Sequence, residues 1–197
     1  NGSISTKNIT LRVSNEEEQR IMMLRSAFVD AKVSGTGKYK DLANSVMTIL
    51  SNHISSLPKP TQTSVALSDF HVDVAVKNLN SVLEVLKPEL KIASGTHCEA
   101  VYTSSDTVCS LLATSPQCSY NSIVLNDCRI DGSCSFSGLD FNVLYSLDSV
   151  QESSNVAQVI CNVVRDSLKT RLKWNYATAI NTHGELEIHG KMQAKQQ

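Results

Sequence analysis

The sequence predicts an α+β domain: a mixed or antiparallel sheet packed with about four to five helices, its C-terminal half stapled by disulfides. Three observations carry that expectation. Apolar residues alternate in some segments and recur at helical spacing in others. The two kinds of segment are mixed along the chain without strict alternation, which favours α+β over α/β. All six cysteines lie between Cys98 and Cys161, and the first half of the chain has none.

Ile9, Leu11 and Val13 alternate with polar residues and predict a short first strand. Ser14-Asn15-Glu16-Glu17 reads as a capping box, so a helix is expected next, with Ile21, Leu24, Phe28 and Ala31 on its apolar face. Gly35-Thr36-Gly37 breaks that pattern. A second helix follows, with Tyr39, Leu42, Ala43, Val46, Met47, Leu50 and Ile54 as its stripe and Pro58-Lys59-Pro60 as its end.

From Ser64 the period becomes twofold. Phe70, Val72, Val74 and Val76 predict a strand with one buried face. Leu79, Val82, Leu83 and Leu86 predict a short helix that stops before Pro88, and Leu90-Lys91-Ile92 a small strand. Residues 106–113 read as a helix carrying Cys109, closed by Ser115-Pro116.

Two strands, near residues 122–130 and 133–147, are expected to flank a hairpin loop at Ile130-Asp131-Gly132. Leu139, Phe141, Val143, Tyr145 and Leu147 give the clearest alternation in the chain. A second capping box, Ser149-Val150-Gln151-Glu152, predicts a helix through Val156, Val159, Ile160, Val163, Val164, Leu168 and Leu172, with Cys161 beside its stripe. A closing hairpin pairs Trp174, Tyr176, Thr178 and Ile180 with Leu186, Ile188 and Met192 across a loop at Asn181-Thr182-His183-Gly184. The whole, 1–197, reads as one domain: a strand and helical hairpin over 1–60, a strand-rich cysteine-containing part over 61–192 and a polar tail over 193–197. The similarity of Asp69-Phe70-His71-Val72 to Asp140-Phe141-Asn142-Val143 is too short to establish a repeat.

Composition sets the outer limits. With 197 residues, 41% hydrophobic, the chain is long enough to bury a core. Eighteen basic against nineteen acidic residues leave a formal net charge of -1, which disfavours a nucleic-acid partner or a membrane surface held by bulk charge. Only 5% of residues are aromatic, so stacking platforms are few and the interior must be aliphatic. No apolar run reaches the roughly 18 residues of a membrane span, so membrane contact is expected only through a segment absent from this chain.

Six clustered cysteines, Cys98, Cys109, Cys118, Cys128, Cys134 and Cys161, favour disulfides, with 15 pairings open to them. The expected three-residue hairpin loop would set Cys128 across from Cys134, which makes that bridge the favoured one. Zinc sites use closer spacing such as C-x2-C, so no metal ion is expected. Asn1-Gly2-Ser3 and Asn8-Ile9-Thr10 are glycosylation sequons at Asn1 and Asn8. Disulfides and sequons together predict a secreted protein or an ectodomain.

Asp69, His71 and Asp73 project from one face of a predicted strand and form the sharpest catalytic-looking cluster, although any solvent-facing strand produces such spacing. His53 reads as a helix-end cation, and His183 and His189 as surface residues of the last hairpin. Ser34-Gly35-Thr36-Gly37-Lys38 fails as a phosphate loop, because Lys32 stands where glycine is needed and Tyr39 where Ser or Thr is needed. No catalytic or cofactor motif is present, and no cofactor is implied. The leading expectation is therefore a non-catalytic module that binds another protein: a receptor, a host factor or itself. The alternatives are a carrier of a lipid or other apolar molecule, and a surface or structural subunit of a virus or parasite.

Overall fold

The computed structural model describes residues 9–16, 19–60, 68–146, 156–177 and 181–192. Three strands come first, β1 (Thr10–Glu16), β2 (Gln19–Arg25) and β3 (Val29–Gly35), then the helix α1 (Tyr39–His53). After β4 (Phe70–Val76) come the short helix α2 (Asn80–Leu86) and β5 (Leu90–Ile92). The remainder is all strand: β6 (His97–Thr103), β7 (Val108–Tyr120), β8 (Ile123–Cys134), β9 (Leu139–Ser146), β10 (Val156–Val164), β11 (Ser167–Ala177) and β12 (Asn181–Lys191). Every pairing is antiparallel, in one 12-stranded sheet that steps from each strand to its neighbour from β1 to β12, with β5 beside β7 in line with β6.

The α+β expectation with four to five helices is therefore corrected: among the described residues there are two helices and a sheet. Two expected helices became hairpins. Where Ile21, Leu24, Phe28 and Ala31 suggested a helix, β2 and β3 pair, and the Ser26 hydroxyl forms the turn by accepting from the Phe28 and Val29 amides. The segment from Val156 to Leu172 folds as β10 and β11 around Arg165 and Asp166, both at positive φ (48° and 65°), as a two-residue hairpin turn requires. In each case a four-residue apolar spacing fits both a helix and alternate positions of a strand. Cross-strand partners decided between them. The second capping box lies outside the described residues.

The expected helix at 106–113 is instead the end of the β6–β7 turn, with Thr107 at a φ of 53°, and the start of β7, which runs on through Pro116. That proline sits where β7 changes partner from β6 to β5 and opposite the irregular stretch of β8, where Asp127 takes a φ of 48°; no ladder amide is lost there. Nor does the chain turn at Ile130-Asp131-Gly132. β8 continues to Cys134, and the turn comes at residues 135–138, where the Ser135 amide donates to the Gly138 carbonyl at 3.0 Å. The first strand, the second helix, β4, α2 and β5 stand where the sequence placed them. A final hairpin forms, but Asn181-Thr182-His183-Gly184, expected as its loop, is paired strand in β12 opposite residues 174–177, and residues 178–180 lie outside the described set.

The disulfide expectation is corrected with the register. All six cysteines are free thiols. Cys128 and Cys134 share one strand, six residues and roughly 20 Å apart, so they cannot bridge. Cys109 instead faces Cys134 across β7 and β8, and Cys118 meets Cys128 with sulfurs 3.3 Å apart, well beyond the covalent distance of about 2.05 Å. Cys98 stands on β6 and Cys161 on β10, where its thiol lies 3.5 Å from the Thr170 hydroxyl.

One cluster forms the core. Ile49 of α1 packs with Phe70, Tyr102, Cys134, Leu139 and Val163, one residue from each of five strands, and Tyr39, Leu42, Leu50, Ile54, Leu168 and Met192 close around them. The helix spans about 22 Å. Five strand spacings, from β4 to β10, span about 24 Å. α1 therefore lies as a strap across one end of the strands. Its buried line is Ser45, Ile49 and His53, turned from the expected stripe, and Ala43 is exposed. The C-terminal end is tied down by His53, only 1% exposed, whose Nε2 donates to the Ser135 carbonyl at 2.7 Å while its Nδ1 accepts from the Arg165 amide at 3.4 Å. His53 is thus a buried latch and not an exposed cation. The Asp166 amide donates to the His53 carbonyl, and the Asp166 carboxylate accepts from the Ser55 amide, each at 2.7 Å.

Candidate functional site

The register sorts the sheet into two unlike faces. One rung of cross-strand partners passes from Leu11 through Leu24, Ala31, Val74, Cys98 and Ala113, then through Ile130, Val143, Val159 and Leu172 to Leu186. It crosses every strand of the main path without a polar side chain. The next rung runs from Val13 and Met22 through Val72, Leu111 and Phe141 to Ile188, with the Thr170 hydroxyl as its polar exception. Each rung spans about 48 Å if the sheet is laid flat, and open sheets of more than about ten strands curl.

The rung between them points to the opposite face and carries Arg12, Lys32, Asp73, Glu99, Asp131, Asn142, Arg171 and Glu187, with Met23, Leu112 and Ile160 as its apolar members. Side chains alternate along a strand, so a twofold pattern kept in register over eleven strands sets an apolar face against one that carries most of the charge. The core residues Phe70, Tyr102, Cys134, Leu139 and Val163 belong to the apolar face, so α1 straps that face at one end. Beyond the strap the apolar rungs are half-buried, and the second helix, α2, has its main contacts with β5. At the edges they are open: Leu11 is 61% and Ile188 50% exposed.

Three glycines on this face receive aromatic rings from the paired strand. Phe70 lies over Gly35, Phe141 over Gly132 and Trp174 over Gly184, and a Cβ at any of the three would collide with the ring. The Asp131-Gly132 pair, which reads as a turn in the sequence, is therefore a strand position that makes room for Phe141.

Of the residues expected to carry chemistry, His71 and Asp73 share the charged face but do not converge. The His71 Nε2 lies 2.8 Å from Glu99, and the Asp73 carboxylate lies 2.7 Å from the His97 Nε2. Asp69 accepts from the Ser104 amide and hydroxyl, both at 2.8 Å, and these bonds hold its carboxyl below the usual carboxylate range. Among the described residues no three His, Cys, Asp or Glu side chains gather as metal ligands. Asn1 and Asn8 lie outside the described residues. His183 and His189 are exposed on β12.

The thiols divide by environment. Burial, with the Cys118 hydrogen bond, pushes Cys128 up to about 12. A hydrogen bond from Cys134 outweighs burial at Cys109 and lowers it to about 7, while Cys134 is pushed up. A cleft of about 330 Å³ at the C-terminal end of α1 is lined by Thr48, Ser51, Asn52, Lys59, Phe136 and Asp166. Its Thr48 and Ser51 hydroxyls already donate within the helix, so it offers few free recognition groups. Among the described residues the apolar face is an extensive surface with no charged side chain on its longest rung. No described helix is long and apolar enough to cross a membrane. No protein-family model matches the chain, and no curated protein or solved structure matches it either.

Proposed function

We propose that the protein binds a molecule with a long aliphatic chain, such as an acyl lipid, on the apolar sheet face beside the α1 strap. The observation that supports this reading is the apolar rung from Leu11 to Leu186, unbroken by any charge and lying beyond the α1 strap. An apolar surface of that extent is unusual on a chain that has no use for it. Its lining of Val, Leu, Ile and Ala suits methylene chains better than rings, because dispersion and burial are unspecific in direction. The ligand would exchange water-exposed methylenes for contact with the face, each worth about 0.8 kcal/mol when fully buried. The charged opposite face keeps such a complex in water. With the six thiols unbonded, an extracellular setting rests on the Asn1 and Asn8 sequons alone.

The test is uptake of a fluorescent fatty acid by the purified chain, together with native mass spectrometry for co-purified lipid. Saturable uptake is expected, and Val143→Asp, in the middle of the face, is expected to weaken it tenfold or more. Asn142→Asp, on the adjacent position of the charged face, is expected to leave it unchanged. Absent uptake with no co-purified lipid, or equal loss in both variants, would defeat the reading.

A further inference from the structure

The two edges of the sheet are β1 and β12, and among the described residues neither is paired on its outer side. β12 is the longer, at 11 residues against seven, and it contains no proline. Such an edge offers a row of free amides and carbonyls to another strand. Leu186 and Ile188 on it are 48% and 50% exposed.

We propose that β12 is a self-complementary edge through which two copies of this chain join, strand against strand and antiparallel, about a twofold axis at Ile188. A twofold axis perpendicular to the sheet keeps apolar face with apolar face and charged with charged, so both faces continue from one copy into the other. With Ile188 opposite Ile188 of the second copy, each Glu185 lies opposite a Lys191 and each Glu187 opposite a His189. On the apolar face Leu186 lies opposite Gly190. A Cβ built at Gly190 meets nothing within 4 Å, so the space above it is open to that leucine.

Other registers lose this match. Centring on Glu187 sets that carboxylate against its own copy, and centring on Leu186 sets Glu185 against Glu187; like charges directly opposite are destabilising. Centring on His189 keeps a Glu187–Lys191 pair but opposes two histidines and leaves Glu185 beyond the end of the facing strand. An odd offset would put apolar side chains against charged ones. Within one copy Glu185 already meets the Arg171 Nε at 2.9 Å, and Glu187 meets the Lys169 Nζ at 2.6 Å and the His189 Nε2 at 3.2 Å. These contacts fix the carboxylates on the charged face, and each keeps acceptor capacity for the second copy. On β1 a register centred on Ser14 would set Arg12 opposite Glu16, but it would also set Val13 opposite Asn15 on the apolar face, and the strand is four residues shorter.

Sedimentation equilibrium at rising concentration, with carbodiimide coupling of mixed ¹⁴N- and ¹⁵N-labelled protein, tests the proposal. A dimer is expected, with a Glu185–Lys191 link in peptides of mixed isotope. Six residues, roughly 20 Å of strand, separate those side chains within one copy, so only a second copy can supply this zero-length link. Lys191→Glu is expected to raise the dimer dissociation constant at least tenfold, and Glu185→Lys combined with Lys191→Glu to restore it, with circular dichroism confirming the fold of each variant. A monomer at hundreds of micromolar, a dimer without the Glu185–Lys191 link, or a link from Glu187 to Lys191 in its place would overturn it.

Discussion

At the residue scale, Cys109 and His53 show how placement sets chemistry. Cys109 and Cys134 face each other, so a thiolate on Cys109 keeps a hydrogen bond from its neighbour, and this lowers Cys109 to about 7. Below that pH the thiol is protonated and slow to react; above it the thiolate accumulates. Alkylation by iodoacetamide, followed by peptide mass spectrometry, is expected to label Cys109 ahead of Cys128 and Cys134, with a rate that rises through about pH 7. Cys134→Ala should move that midpoint up toward the ordinary thiol range. Equal labelling of all three, or no shift in the variant, would contradict the pairing. The cluster of cysteines was visible in the sequence, but not which would meet. That depended on β8 continuing through Gly132, which a reading of Asp131-Gly132 as a turn could not foresee. His53 likewise reads as a helix-end cation until the β8–β9 and β10–β11 turns supply the Ser135 carbonyl and the Arg165 amide.

At the scale of elements, α1 and the β10–β11 hairpin are joined. The turn residues Arg165 and Asp166 both adopt positive φ, which costs a non-glycine residue about 1–2 kcal/mol, and they hold that shape while bonded to the end of the helix. Asparagine tolerates this conformation better than arginine and keeps the backbone amide that His53 accepts. Arg165→Asn is therefore expected to stabilise the protein by about 0.5–1 kcal/mol, read as a rise in midpoint on thermal or urea unfolding. A fall would show that the arginine side chain contributes contacts of its own. The helix α1 was legible because fifteen residues of consistent period leave little alternative. The expected helices at residues 14–34 and 149–172 were not, because spacings such as Val159, Val163 and Leu168 also fit two short strands around a turn.

At the scale of the whole molecule, the apolar residues have two uses. Those under the strap make the core, and those beyond it make a face. Ile49 is 0% exposed, and Ile49→Ala is expected to cost about 2–5 kcal/mol of stability, the range for a large core truncation. Val74→Ala, on the rung beyond the strap, should cost less than about 1 kcal/mol, because a half-buried valine leaves little cavity. Urea unfolding of both variants checks the difference. Comparable losses would mean that the face is closed over as a second core.

Read alone, the sequence determined the period-two strands with long alternation, such as β4 and β9, the one long helix and the near-neutral charge. These are local or additive properties, set by neighbours a few residues apart. The core, by contrast, proved to hold Phe70 and Tyr102 among its aliphatic residues. Only the tertiary structure decided that Asp69, His71 and Asp73 take separate partners, that four of the cysteines meet across β7 and β8 unbonded, and that apolar residues from eleven strands line up as one face. Those outcomes depend on register between distant segments, and a shift of one residue in any ladder would have sent each side chain to the other face.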